Sequence, residues 1–147
     1  MVFLMQKPAD CEQILEIKDK TSVTIIKEFM PDGVKLQFNS VGETKGRYQA
    51  QHTETVDIVQ KMDGTNEWES RSIDVTREGD MVMISGKGMG RMDGFQGEYT
   101  FMTQSTKLAW LNGTKAYAEG MSDMRSNTAT IKVYAVKEEM AKATVPM

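Results

Sequence analysis

The stretch Val34-Lys35-Leu36-Gln37-Phe38-Asn39 decides the fold class. Apolar and polar residues alternate at every step, which is the signature of a strand with one face buried. The same alternation returns at Ala129-Thr130-Ile131-Lys132-Val133-Tyr134-Ala135. Between and around these lie turn signals with a mechanism. Pro31-Asp32-Gly33 ends a β-branched run, with Pro presetting φ and Gly accepting φ > 0. Glu78-Gly79-Asp80 precedes the apolar run Met81-Val82-Met83-Ile84. Asp63-Gly64 and Asn112-Gly113 are hairpin dipeptides. Regularly spaced short strands of this kind predict an all-β protein, and closure into an antiparallel barrel removes the exposed edges. A weak internal echo favours closure: Gly46-Arg47-Tyr48 and Gly97-Glu98-Tyr99 each lead into a strand, a hairpin turn and an aromatic-led strand.

Composition narrows the function. The chain has 147 residues, net charge −3, one Cys, one His and 13 Met. That length suits a single domain over 1–147, with its core at about 15–137. One Cys excludes an internal disulfide framework, and one His with one Cys excludes His/Cys zinc sites, so neither metal nor cofactor is expected. A pI near 5.3 speaks against nucleic acid as a partner. No apolar run approaches the ~20 residues of a membrane helix, and Met1 to Met5 is too short for a signal-peptide core. The expectation is a cytoplasmic protein with no membrane partner. Cys11 reads as a small, partly buried residue, since no base lies near it in sequence.

Helical signals are confined to the ends. Asp10 with Gln13 fits a capping box before Ile14, Leu15 and Ile17, against the alternative of a first strand starting near Leu15. Lys137 to Ala143 is a short helix former.

The candidate site lies in the segment from Gly46 to Gln60, read as one long strand. Its even positions carry Tyr48, Ala50, His52, Glu54, Val56 and Ile58. That face is the buried one, yet it holds His52 and Glu54. An imidazole and a carboxyl on an inward face must be paired, hydrogen-bonded or wet, and in a small barrel wet means a cavity. The alternative is a bulge near Thr53 that turns one of them to solvent. Tyr99, Phe101 and Thr103 hold the matching face of the second copy of the echo. Trp68 either caps a barrel end or stacks on a ligand, and Tyr117 and Glu119 share a parity that directs them to the same cavity. Gly86, Gly88 and Gly90 bare one face of a strand, which permits a bend, a tight interior or close approach of a ligand. The methionines between 81 and 124 read chiefly as flexible core filler, with an adaptable pocket or interface as the alternative.

The stretch from Gly79 to Tyr134 resembles a family of small bacterial β-barrel proteins of unknown function. The features that carry the likeness are Gly79-Asp80, the alternating glycines, Gly97-Glu98-Tyr99-Thr100-Phe101, Leu108-Ala109-Trp110-Leu111-Asn112-Gly113 and Glu119-Gly120. That family is similar in fold to allene oxide cyclase and dirigent proteins. The resemblance implies an antiparallel barrel of about eight strands with an apolar, lipocalin-like cavity. Such cyclases use a buried carboxylate, and the resemblance carries no catalytic role over to a particular residue here. Three functions stay open. One is binding of a small apolar or amphipathic molecule. Another is a cyclase or isomerase using His52 or Glu54 for proton transfer. The last is a ligand-free protein whose apolar surface makes a homo-oligomer, a dimer or a trimer.

Overall fold

The computed structural model describes residues 7–136. Eight strands run in order: β1 (Cys11–Met30), β2 (Gly33–Gly46), β3 (Ala50–Lys61), β4 (Thr65–Thr76), β5 (Met81–Arg91), β6 (Gly94–Thr103), β7 (Lys115–Asp123) and β8 (Thr128–Val136). Each pairs antiparallel with the next, and β1 pairs with β8 to close the barrel. The only helix among the described residues is one short 3-10 turn, Ala109–Leu111. The expected closed antiparallel barrel is therefore what forms.

The capping-box alternative at Asp10–Gln13 gives way to strand. Leu15 and Ile17 are buried while Glu16 and Lys18 face out, so period 2 wins over period 3.6. Lys137 to Ala143 lies outside the described residues. The strand read from Gly46 to Gln60 is in fact broken. Gly46 has φ of +138° and ends β2; Arg47 to Gln49 form the turn into β3. The internal echo consequently has no structural counterpart, because Tyr48 sits in a turn and Tyr99 in mid-strand. Asn112-Gly113 likewise closes no tight hairpin. It ends the longer connection 104–114, whose Leu108 and Leu111 join the core.

The two barrel ends differ. At one end the β2–β3, β4–β5 and β6–β7 connections meet Ile14, Phe101, Leu108 and Leu111, and the interior is filled. At the other end β1 outruns β8. The β1–β8 pairing stops at Lys20↔Thr128, while β1 continues with β2 to Met30↔Gly33. The projecting β1–β2 hairpin stands beside the opposite mouth.

The bare face of β5 is a packing device. A Cβ at Gly88 would lie 2.6 Å from Trp68 Cζ2, and one at Gly86 would lie 2.7 Å from Tyr99 Cδ1. Large aromatics occupy the space that side chains on β5 would need, so the tight-interior reading holds. The methionine reading does not. Met81, Met83, Met102 and Met121 are exposed because their parity on each strand points outward, and Met124 is exposed in the β7–β8 turn.

Candidate functional site

β4 shows how the site is made. Its inward row is Asn66, Trp68, Ser70, Ser72, Asp74 and Thr76, all buried; Ile73 and Val75 face out. This inverts the usual arrangement and lines the interior with polar groups. β3 contributes His52 and Glu54 to the same interior, β2 contributes Thr44 and Ser40, and β1 contributes Asp19. Gly42 lies opposite both Asp19 and His52 in register. A Cβ there would come within 2.8 Å of the Asp19 Cβ, so the missing side chain lets these groups crowd together.

A hydrogen-bonded network runs from the filled end towards the mouth. Asp74 Oδ1 lies 2.6 Å from His52 Nδ1 and accepts from Thr44 Oγ1 at 3.0 Å. Asp74 Oδ2 accepts from Tyr48 Oη at 2.6 Å. On its other side His52 Nε2 lies 2.9 Å from Glu54 Oε1. Burial alone would push the imidazole down. The hydrogen bonds and charges of Asp74 and Glu54 outweigh that and hold it up at about 10. His52 is thus an imidazolium that donates from both nitrogens. Burial, and then the neighbouring Glu54 charge, push Asp19 up to about 7, with His52 opposing them. Burial and Asp74 push the Tyr48 phenol up, so it stays a neutral donor.

Above this network is a cavity with an accessible volume of about 100 Å³. That is room for on the order of several waters or the head of an organic molecule. Asp19 and Glu54 lie at its polar floor; Phe38, Val56, Ile58, Trp68, Phe95 and Tyr99 give apolar wall. Trp68 packs edge-on to Phe95 and Tyr99, with ring centroids 5.8 and 6.4 Å apart. Arg91, Met92, Asp123 and Met124 also line it, as do hydroxyl and amide side chains that include Ser40, Asn66, Ser70 and Asn127. Three atoms of the lining residues are fully buried without a hydrogen-bond partner among the described residues: Asn66 Oδ1, Trp68 Nε1 and Ser70 Oγ. Buried polar atoms are nearly always paired, so these three are exceptions within the lining.

The residues singled out from the sequence separate into three sets. Glu54, Trp68 and Tyr99 line the cavity, and His52 and Tyr48 lie in the network that supports it. Phe101 is core, and Thr103 donates its hydroxyl to the Met81 carbonyl, 2.7 Å away, so neither lines the cavity. Tyr117 and Glu119 do not reach it either. Register pairs them with Tyr134 and Lys132 on the outer face, where Tyr117 Oη donates to Glu119 at 3.4 Å. Ala116, Ala118 and Gly120 take the inward positions of β7. Asp19, Thr44, Asn66, Ser70 and Asp74 were missed. The parity of Trp68 along β4, and of Leu15 and Ile17 along β1, is the signal that finds most of them.

A closed eight-stranded barrel with a polar floor and an aromatic wall is the class these observations define. No protein-family model matches the chain, and no curated protein matches it significantly. Solved structures do share the fold. A protein of unknown function from Clostridium acetobutylicum superposes with a TM-score of 0.77 at 15% identity, covering 90% of this chain and 99% of that one. A β-barrel-like protein from Acinetobacter baumannii gives 0.74 at 16% identity, covering 91% and 100%. An enzyme from Penicillium herquei gives 0.71 at 16% identity, with the same coverage. The chain thus has the fold of small bacterial β-barrel proteins of unknown function, as its glycine and aromatic placements led us to expect. No helix among the described residues is long and apolar enough to cross a membrane.

Proposed function

We propose that the barrel interior binds a small, mostly apolar molecule whose polar group rests on Asp19 and Glu54. One observation carries this reading: three unpartnered buried polar atoms, on Asn66, Trp68 and Ser70, belong to residues that line the cavity beside its aromatic wall. Native mass spectrometry of freshly purified protein tests it, together with quenching of Trp68 fluorescence by a panel of hydrophobic ligands. The expected result is an adduct released on denaturation, and quenching that Trp68→Phe removes. An adduct-free protein that no ligand quenches would overturn it.

Acid–base catalysis on that ligand is the second reading, and the position of Asp19 favours it. A carboxyl held at about 7 beside a cavity both gives and takes a proton near neutrality. His52, already protonated, positions Glu54 rather than serving as the base. The enzyme among the structural neighbours fits this reading. The expected rate–pH profile has a limb near 7 that Asp19→Asn abolishes. The homo-oligomer reading rests on an outward row in register across the sheet, Val41, Ile73, Met83 and Met102, all exposed.

A further inference from the structure

We infer that the molecule held in the barrel is an amphiphile with a protonated amine at its head. The amine sits between Asp19 and Glu54, and the apolar body leaves the mouth along the inner face of the β1–β2 projection. This inference rests on the cavity reading and gives the ligand a chemical class.

Charge is the first argument. Four ionisable groups form the floor and its support: Asp19, Glu54, Asp74 and His52. Three are carboxyl groups and one is a cation. The cation has both N–H groups committed, to Asp74 and Glu54. The floor is short of positive charge, and an ammonium supplies it in a site where water cannot. The rise of the Asp19 carboxyl, driven by burial and by Glu54, reports the same shortage. Arg91, at the rim, is exposed and donates to the Asp63 carbonyl, so solvent screens its charge from the floor.

Hydrogen-bonding capacity is the second. Asn66 gives its Nδ2 to Gln60 at 3.2 Å, which leaves Oδ1 as a free acceptor in a side chain that is only 4% exposed. Ser70 Oγ is equally free and buried. Ser70 also carries an O–H, so this wall offers two unpartnered acceptors, Asn66 Oδ1 and Ser70 Oγ, beside two donors, Ser70 O–H and Trp68 Nε1. A head with several N–H donors can serve Asn66 Oδ1, which only accepts, together with the Asp19 and Glu54 carboxyls. The oxygens of Asp19 and Glu54 lie within 4.8 Å of one another, a span that one nitrogen bridges. Aromatic rings beside the floor add cation–π attraction. A metal ion fits less well, because the protonated His52 has no free lone pair to offer.

Shape is the third. The enclosed space is small, but its apolar wall does not stop at the mouth. Phe38 lines the cavity, and the inward register beyond it pairs Leu36 with Ile26 and Val34 with Phe29. Ile26 and Phe29 are 61% and 80% exposed. An apolar tail leaving the cavity covers them.

Calorimetric titration of the whole chain with decylamine, decanol and decanoate, at neutral pH and below their aggregation concentrations, tests the inference. Decylamine is expected to bind about tenfold tighter than decanol, with decanoate weakest. In the Asp19→Asn, Glu54→Gln double variant that preference should shrink to within about threefold. If the double variant fails to melt cooperatively, Asp19→Asn alone serves. Decanol or decanoate binding as tightly as decylamine would overturn the amine and leave the cavity reading standing. So would tight binding of zinc chloride alone that Asp19→Asn removes. If no probe binds and the purified protein carries no adduct, the cavity reading falls as well.

Discussion

Asp74 Oδ1 and His52 Nδ1 are 2.6 Å apart, with both side chains fully shielded from solvent. Two hydroxyls, from Tyr48 and Thr44, also donate to that carboxyl, so both of its oxygens are hydrogen-bonded. The pair is therefore satisfied as well as neutralised, the condition under which a buried ion pair is tolerated. Replacing Asp74 with Asn keeps the shape and removes the charge. Asp74→Asn should cost about 3–5 kcal/mol. It should also lower the His52 pKa from about 10 towards its ordinary 6.5. Denaturant unfolding reads the first effect, and NMR titration of the imidazole reads the second. An unchanged imidazole titration would remove Asp74 as its anchor.

Stability should fall as pH rises. His52 is raised from 6.5 to about 10, so the native state holds a proton that the unfolded chain releases between those values. Its contribution is complete below about 6.5 and is lost as pH climbs through about 10. Asp19 acts with the same sign in a lower window. Its pKa rises from 3.8 to about 7 on folding, so its effect weakens stability as pH rises across that range. Melting temperatures measured across both windows should decline, with His52→Gln flattening the upper limb and Asp19→Asn the lower. A wild-type melting temperature that climbs from neutral to alkaline pH would contradict the imidazolium assignment.

Gly88→Ala tests the packing of Trp68. The new Cβ would meet the indole at 2.6 Å and the Gln96 carbonyl at 2.1 Å, and the backbone contact cannot swing aside. Overpacking of this kind costs about 1–3 kcal/mol. The variant should melt lower and shift the Trp68 emission. A neutral effect on both would mean that the strands separate at little cost.

Met83→Glu combined with Met102→Glu probes the outer face. These two side chains are register partners, both exposed. If the row holds two copies together, wild-type protein sediments above the 16.5 kDa of one chain and the double variant does not. Wild-type protein that stays at one chain's mass at high concentration would exclude the oligomer.

Alternation made the architecture legible, because a strand with one buried face writes its parity into the sequence. It also brought His52, Glu54 and Tyr99 inward, where the structure buries them. Parity fails as a guide where the interior is polar. On β4 the buried row is Asn66, Ser70, Ser72 and Asp74 around Trp68, while Ile73 and Val75 face water. Hydropathy therefore points the wrong way there, and Asp74, the partner of His52, stays hidden. Asp19 was obscured for another reason: the charges around Ile17 also fit a helix surface, and only pairing with β2 and β8 selects the strand. The outward methionines show the converse, since an apolar residue type does not by itself locate the core.

Seven of the eight strand pairings join neighbours in the chain; the pairing of β1 with β8 alone joins its two ends. The hairpins close short loops, whereas this seam closes nearly the whole chain and carries its full entropic cost. The seam ends at the mouth with the bond from Thr21 N to Asn127 O at 2.8 Å. Asp19 lies two residues inside that end, paired with Ala129. A barrel that pairs its local hairpins first would close over the polar floor last, and on the cavity reading proposed above the same seam, unfastened from the mouth, would admit a molecule wider than the finished opening.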